Sequence, residues 1–282
     1  MKNWKVKCSS STVEFVLDGK FATIGKMVDK SNAIYITDEN VYALHQQQFK
    51  GKPTIVMPAG EAHKQQATVD FMIEALLNFG ANRQSVLIGV GGGVVTDMVG
   101  YVAGIFMRGV QFGFVPTTLL AMVDASIGGK NGIDVGVYKN MVGLIRQPAF
   151  IVYDYSFLNT LPSYQWENGF AEIIKHAAIK DAKMLQELNQ NDLAFYQKNK
   201  KALAALIQKN VEIKVKVVQK DEFEQGDRKL LNFGHTLGHA IENEHALLHG
   251  HAISVGMVYA AKISQVLLGF TGTGLLLETL KK

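Results

Sequence analysis

The sequence contains one cysteine, Cys8, and only 5 prolines in 282 residues. One cysteine excludes an intrachain disulfide, which favours a reducing compartment. The N-terminus lacks the apolar core of a signal peptide, and no run approaches the ~20 consecutive apolar residues of a membrane span. The sequence therefore predicts a cytoplasmic protein that does not bind a membrane.

The excess of charge of one sign is also small: the net charge is +4, and charged residues make up 19% of the chain. A bias this small argues against nucleic-acid binding and is compatible with a small anionic substrate. Hydrophobic residues make up 48%, which is ample for a packed core and excludes a disordered chain. At ~150 residues per domain, the length corresponds to two domains or to one large one.

The first half of the chain alternates short β-rich runs with helical patterns. Strands are predicted at residues 33–37, 53–57 and 85–90, and helices at 41–49 and 65–79. This alternation indicates βαβ units and a parallel, Rossmann-like sheet. Ligands of such sheets bind beyond the carboxyl ends of the strands. Asp38, Gly60 and Gly91 occupy those positions.

Strand signals nearly vanish in the second half of the chain. Helices are predicted at residues 167–179, 184–188, 201–220, 228–244 and 252–268. The sequence thus predicts an α/β domain over residues 1–160 and an all-α domain over residues 161–282.

A glycine run at residues 89–93 follows a predicted strand and precedes a predicted helix. Glycines there let a phosphate approach backbone N–H groups at the helix N-terminus. The run departs from G-x-G-x-x-G because Val94 stands where the last glycine belongs, and no acidic residue follows about 20 positions later. A tight structural turn explains the run equally well.

Histidines cluster late in the chain, where five of the eight lie between positions 235 and 251. His235 and His239 are four residues apart, so they share one helix face, and Glu172 lies on an upstream helix. Three nitrogen or oxygen ligands with one open position are typical of catalytic zinc. A single histidine is more simply a helix-end or solvent-facing residue; the cluster favours a metal site.

Six segments, in order along most of the chain, resemble those of the 3-dehydroquinate synthase family. They read GGGVVTD (91–97), MRGV (107–110), VPTTLLAMVDASIGGK (115–130), NGFAEIIK (168–175), LNFGHTLGHAIE (231–242) and HGHAISVGM (249–257). The long block at 115–130 is highly specific. The resemblance implies a Rossmann-like NAD-binding domain followed by a helical domain that binds metal and substrate.

The resemblance implies a lyase of the shikimate pathway that depends on NAD and zinc, with Co²⁺ as a substitute metal. It would convert 3-deoxy-D-arabino-heptulosonate 7-phosphate to 3-dehydroquinate and phosphate. The steps would be transient oxidation by NAD, phosphate elimination, re-reduction and intramolecular aldol closure. The enzyme would be a homodimer in which Arg108 reaches into the partner's site.

The resemblance also assigns roles to individual residues. The zinc ligands would be Glu172, His235 and His249, which makes His239 a substrate contact instead of a metal ligand. The residues that would contact NAD are Asp38, Glu61, Lys64, Gly91, Gly92, Asp97, Thr117, Thr118, Asp124 and Lys139. The residues that would contact the anionic groups of the substrate are Lys130, Asn140, Lys175, Lys214, Arg228, Asn232 and His239. Taken singly, each lysine is more simply a surface charge.

Two departures from the family pattern stand out. Thr96 occupies a position where the family usually has glycine. The family normally continues through further helices that include an Asp-Lys-Lys segment, and its lysine also contacts phosphate. No such segment is present here, so the sequence is expected to be incomplete at its C-terminus.

Three alternative functions remain open at this point. A related sugar-phosphate cyclase could form an inosose or valiolone ring, but its substrate lacks the carboxylate that Arg228, Asn232 and His239 would bind. A metal-dependent alcohol dehydrogenase of similar fold would not need the phosphate set of Lys130, Asn140 and Lys175. A protein that binds NAD and zinc without turnover would explain the missing C-terminal lysine.

Overall fold

The computed structural model describes residues 2–9, 11–245 and 247–282. The chain divides into two compact units, one ending at Leu161 and the other beginning at Pro162. The sequence predicts this boundary near Thr160. The first unit is of the α/β type and the second is helical, which confirms the predicted fold class.

The first unit consists of nine strands and four α-helices in its described residues. The strands are β1 (Lys2–Lys7), β2 (Thr12–Leu17), β3 (Ala33–Asp38), β4 (Thr54–Met57), β5 (Val86–Gly91), β6 (Gln111–Pro116), β7 (Lys130–Val135), β8 (Tyr138–Ile145) and β9 (Phe150–Val152). The helices are α1 (Ile24–Met27), α2 (Glu39–Phe49), α3 (Gln66–Asn78) and α4 (Gly93–Ile105).

Seven of these strands form one sheet in the order β1-β2-β9-β6-β5-β3-β4. Only β1 and β2 pair antiparallel; the other neighbours are parallel. Every residue of β5 is buried, as expected for a central strand covered on both faces. The parallel arrangement places the carboxyl ends of β3, β5 and β6 side by side, where the sequence predicts a ligand site.

Two hairpins were not predicted. β1 and β2 pair with Lys2 opposite Leu17, and β7 and β8 pair with Lys130 opposite Ile145. Leu144 of the second hairpin faces α4, because a Cβ at Gly104 would lie 2.3 Å from its side chain. Its other face is open, and Val137 and Met141 are 75% and 73% exposed.

The second unit is helical throughout its described residues. Its helices are α5 (Ser163–Lys180), α6 (Ala182–Gln190), α7 (Leu193–Lys198), α8 (Lys200–Lys220), α9 (His235–His245), α10 (His249–Leu268) and α11 (Thr273–Leu280). The prediction of one continuous helix over 228–244 was wrong. A 3₁₀ turn, Asp227–Asn232, ends before Gly234, and α9 begins after it. Gly234 has φ +81°, a left-handed conformation that interrupts the helix.

Helix α10, of 20 residues, is the most apolar long helix described, and its most apolar 18 residues have a mean hydropathy of 1.3. By length and composition alone it could cross a membrane, although no run of the sequence approaches ~20 consecutive apolar residues. It packs against α9, α5 and α11, and only 28% of its most apolar 18 residues are buried. Val266, Leu267 and Leu268 at its C-terminal end are exposed.

Glycines bring α9 and α10 into close contact. A Cβ on Gly256 of α10 would lie 1.9 Å from the carbonyl oxygen of Gly234, and a Cβ on Gly238 of α9 would lie 3.1 Å from the carbonyl oxygen of Ala252. Backbone atoms cannot move aside as a flexible side chain can. The separation of these two helices therefore depends on the absence of side chains at Gly256 and Gly238.

We expect Gly256→Ala to lower the free energy of unfolding by about 1–3 kcal/mol, because the new methyl group overpacks the contact with Gly234. Gly274→Ala in α11 is the matched control. No described atom lies within 4 Å of a Cβ there. It should stabilise the chain by about 0.5–1 kcal/mol, since alanine favours a helix. Urea unfolding of both variants measures the difference; equal stability would contradict the close contact.

Candidate active site

Three predicted metal ligands from different helices converge in the second unit. Glu172 lies on α5, His235 begins α9 and His249 begins α10, and one ligand atom from each lies within 4.8 Å of the others. Oε1 of Glu172 is 3.7 Å from Nε2 of His235 and 3.4 Å from Nε2 of His249. The structure thus brings together residues that are up to 77 positions apart in the sequence.

Both histidines are held so that the same nitrogen, Nε2, faces Glu172. Nδ1 of His235 is 3.2 Å from the carbonyl oxygen of Phe233, and Nδ1 of His249 is 3.3 Å from Oε2 of Glu242. In a neutral imidazole, an acceptor at Nδ1 leaves Nε2 as the nitrogen with the lone pair. Two imidazoles and one carboxylate are a donor set that fits catalytic zinc.

Glu172 is fully buried, and its carboxylate forms an ion pair with the buried ammonium of Lys175, one turn further along α5. Burying one charge alone would be costly, so the two charges stabilise each other. The ammonium group of Lys175 therefore lies next to the cluster. Lys175 is one of the residues predicted to contact the substrate.

The two histidines differ in protonation. Burial, with the nearby charge of Lys175, lowers the pKa of His235 to about 4. Burial also disfavours the charged form of His249, but hydrogen bonds to Glu172 and Glu242 outweigh it and raise the pKa of His249 to about 9. Without metal at neutral pH, His235 is neutral and His249 carries a proton.

Metal binding must displace that proton, so zinc affinity should depend on pH. We expect the apparent affinity to rise about tenfold per pH unit from pH 7 and to level off near the His249 pKa of about 9. His235 adds no slope there, because it is already neutral. Chelator competition at several pH values, corrected for protonation of the chelator, measures this. A constant affinity between pH 7 and 9 would contradict the assignment.

His239, predicted as a substrate contact, lies beside this cluster. Its ring centroid is 5.2 Å from that of His235 and 6.0 Å from that of His249, and the residue is exposed. Ligand atoms of His239, Glu242 and His249 also lie within 4.8 Å of one another, so His249 belongs to two candidate ligand sets.

The other predicted substrate residues of this unit lie on α8 and the turn before α9. Lys214 and Arg228 are buried, whereas Asn232 is exposed and donates to Oε1 of Glu224 at 2.9 Å. Asp221 was not predicted as a site residue, but its carboxylate accepts from the backbone N–H of Gly226 at 2.7 Å and of Arg228 at 3.0 Å. These bonds fix the backbone that carries Arg228.

In the first unit, predicted NAD contacts gather at the carboxyl ends of the strands. The N–H of Thr117 donates to the carbonyl of Gly91 at 2.9 Å, which joins the ends of β5 and β6. Asp38 ends β3 and accepts from the N–H of Val41 at 2.9 Å. Burial raises the pKa of Asp38 above its usual value.

The N-terminus of α4 is open to an anion. Its N-cap, Gly92, has no side chain with which to cap the helix. A Cβ at Gly92 would lie 3.1 Å from Cγ2 of Thr118, so the glycine also keeps this turn narrow. The first N–H groups of a helix lack partners within it and favour negative charge. This arrangement fits a phosphate group of a dinucleotide.

Lys64 links residues that the sequence assigns to different ligands. Its buried ammonium donates to Oδ2 of Asp97 at 2.7 Å and to Oδ1 of Asn140 at 2.6 Å, and it lies 3.8 Å from Oε1 of Glu61. Burial lowers the pKa of Lys64, but the carboxylates of Asp97 and Glu61 outweigh it and raise the pKa overall. The ammonium therefore stays charged and connects the predicted NAD set with Asn140 of the predicted phosphate set.

The remaining predicted residues of this unit lie on other strands and turns. Asp124 lies in a π-helical turn, Ala121–Ala125, Lys139 lies on β8, and Lys130 is the exposed first residue of β7. Arg108 is exposed and has φ +66°.

Two family models together match most of the chain. The model of the 3-dehydroquinate synthase N-terminal region matches residues 54–168, and that of the C-terminal region matches residues 169–281. The chain belongs to the 3-dehydroquinate synthase family. The predicted family and function are confirmed, and the chain is an enzyme of the lyase-type cyclase class.

Curated members of the 3-dehydroquinate synthase family support the same conclusion. The protein from Nitratiruptor sp. is 41% identical over 83% of this chain and 68% of its own length. The protein from Bacillus pumilus is 38% identical over 96% of this chain and 78% of its own length. The matches thus leave part of each relative's length uncovered.

A solved structure extends the similarity to a neighbouring cyclase. The 2-epi-5-epi-valiolone synthase of Streptomyces hygroscopicus subsp. jinggangensis was solved with NAD⁺ and Zn²⁺ bound. It has a TM-score of 0.87 and 27% identity, and the match covers 100% of this chain and 82% of that one.

Thr96, which departs from the 3-dehydroquinate synthase pattern, fits within α4 without interrupting the helix. Thr96 is buried inside α4, and its hydroxyl donates to the carbonyl of Gly93 at 3.0 Å. The hydroxyl is thereby satisfied within the helix, and α4 remains continuous around it.

Proposed function

We propose that the chain depends on NAD and zinc to convert 3-deoxy-D-arabino-heptulosonate 7-phosphate to 3-dehydroquinate and phosphate. The observation that carries the proposal is the convergence of Glu172, His235 and His249 with both Nε2 atoms turned toward the carboxylate. Family membership supplies the substrate, and the valiolone synthase supports the choice of NAD and zinc.

When bound, zinc polarises a substrate hydroxyl and NAD accepts and returns a hydride. Glu172, His235 and His249 would hold the metal. Lys175 compensates the charge of Glu172 and offers an ammonium group to an anionic substrate. Lys214 and Arg228 add two buried cations for phosphate and carboxylate groups, with His239 and Asn232 as polar contacts.

The first unit would bind the dinucleotide. The N-terminus of α4 would accept a phosphate, and Asp38 at the end of β3 would accept hydrogen bonds from ribose hydroxyls. Lys64 holds Asp97 and Asn140 in place through two hydrogen bonds. Lys130 and Asn140 remain the predicted phosphate contacts of this unit.

We further propose a cytoplasmic homodimer in which Arg108 serves the partner's site. Arg108 and Met107 both have positive φ, +66° and +50°, so the backbone adopts a costly conformation that presents an exposed guanidinium. Val137, Tyr138 and Met141 of the β7–β8 hairpin form an exposed apolar surface of the same unit, and such surfaces are typical of contacts between subunits.

The choice of substrate is tested by offering two phosphates in parallel. One is the keto-acid phosphate, and the other is a sugar phosphate of similar length without a carboxylate. We expect a cyclic acid to form from the first and no turnover of the second, because the second offers no carboxylate for Arg228 to bind. Turnover of the second alone would assign the chain to the valiolone-type cyclases.

A further inference from the structure

Glu242 lies on α9 seven residues after His235, and its side chain is only 9% exposed. Oε2 of Glu242 is 3.3 Å from Nδ1 of His249. The opposite nitrogen of the same ring, Nε2, is 3.4 Å from Oε1 of Glu172. His249 therefore lies between two carboxylates with different positions relative to the cluster.

The two carboxylates cannot play the same part. Glu172 faces the Nε2 atoms of both histidines, so its oxygen lies where the three ligands meet. Glu242 contacts His249 on the far side of the ring. An Nδ1–H that donates to a carboxylate leaves Nε2 as the metal-binding nitrogen and makes that nitrogen more basic.

We propose that Glu242 is a positioning residue of the metal centre, which fixes the tautomer and ring orientation of His249 without binding the metal. This inference rests on the proposed zinc dependence. His235 has the backbone carbonyl of Phe233 in the equivalent place. Side-chain substitution can therefore remove the acceptor at His249 while leaving the one at His235 unchanged.

The alternative is that Glu242 itself is a ligand, with His239 and His249, since their ligand atoms also lie within 4.8 Å of one another. Of the two ring nitrogens of His249, Nδ1 is the one that faces Glu242 at 3.3 Å, so it is the nearer ligand atom in that arrangement. The two arrangements predict different results when Glu242 is replaced, because only the second loses a ligand.

Zinc dissociation constants of the full chain, measured by chelator competition, test the inference with Glu242→Ala and Glu242→Gln. We expect Glu242→Ala to weaken zinc binding about 10–100-fold, the usual effect of removing an outer partner of a metal-bound histidine. Glu242→Gln keeps a neutral acceptor and should recover part of the loss. Glu244→Gln, on the same helix with a side chain 79% exposed, is the matched control and should leave affinity unchanged.

The visible spectrum of the cobalt-loaded protein separates a positioning residue from a ligand. With Glu242→Ala we expect the cobalt bands of the wild type, because all three ligands remain. Bands altered in the same way as by Glu172→Ala would show that Glu242 is a ligand and would overturn the inference. Equal zinc affinity in Glu242→Ala and Glu244→Gln would also overturn it, whereas failure of the wild type to bind zinc would overturn the proposed function and the inference with it.

Discussion

Glu172→Gln is expected to weaken zinc binding by more than about 100-fold and to reduce turnover to below about 1% of the wild type. Loss of an outer partner alone costs about 10–100-fold in metal affinity, and Glu172 is the carboxylate toward which both histidines point. Zinc affinity by chelator competition and phosphate release under saturating zinc are the two measurements.

Two further variants separate this loss from a loss of folding. Glu172→Gln leaves the ammonium of Lys175 buried beside a neutral group, which costs about 3–5 kcal/mol. The double variant Glu172→Gln/Lys175→Met removes both charges and should fold while still failing to bind zinc. Glu167→Gln changes an exposed carboxylate on the same helix, 50% exposed and paired with His251, and should bind zinc normally. Wild-type affinity in the double variant would refute Glu172 as a ligand.

If Arg108 serves the active site of the partner subunit, two inactive variants should restore each other's activity. Arg108→Ala and Glu172→Gln should each keep less than about 1% of wild-type activity, because removing one charged group that stabilises the reacting centre costs about 10²–10³-fold. In a mixed dimer, the subunit with intact Glu172 receives Arg108 from its partner. Random pairing makes half of the dimers mixed, each with one working site of two, so activity should recover to about one quarter of the wild type.

Activity after co-refolding or long mixing of the two variants is the measurement, and each variant mixed with itself is the control. Mixtures that stay as inactive as the separate variants, while mixed dimers are detected by mass, would show that Arg108 acts within its own subunit. An absence of dimers would contradict the homodimer itself.

The central strands and the helices with regular apolar spacing could be predicted from the sequence. β3, β4 and β5 lie within one residue of their predicted limits, because buried parallel strands are continuous apolar runs. The β7–β8 hairpin was missed since glycine weakens the strand signal. Gly132 and Gly143 lie opposite each other there, and a Cβ at Gly143 would be 2.2 Å from the carbonyl oxygen of Asn131.

The candidate metal site shows what spacing alone cannot predict. His235 and His239 share a helix face, which favours a chelate of these two residues. In the structure, His249 from the next helix joins His235 instead, and Glu172 comes from a helix earlier in the chain. Sequence spacing carries no information on how α5, α9 and α10 pack, so only the resemblance to the family pointed to this set.

The spacing of Glu242 in the sequence already indicated that it lies near the candidate metal ligands. His235, His239 and Glu242 follow one another at intervals of four and three residues, which places all three on one face of α9. A carboxylate at that spacing beside candidate zinc ligands is what an outer-shell partner requires. Its contact with Nδ1 of His249 depended on the packing of α10 and was visible only in the structure.

The central claim is tested most directly by phosphate release from 3-deoxy-D-arabino-heptulosonate 7-phosphate. The assay contains NAD at a concentration well below that of this substrate, and it is run with and without a chelator. We predict many phosphates released per NAD, with no accumulation of NADH, and loss of release when the metal is removed. Release that persists after metal removal, or that stops when one NAD has been consumed per phosphate, would contradict a zinc-dependent synthase that regenerates its NAD in each turnover.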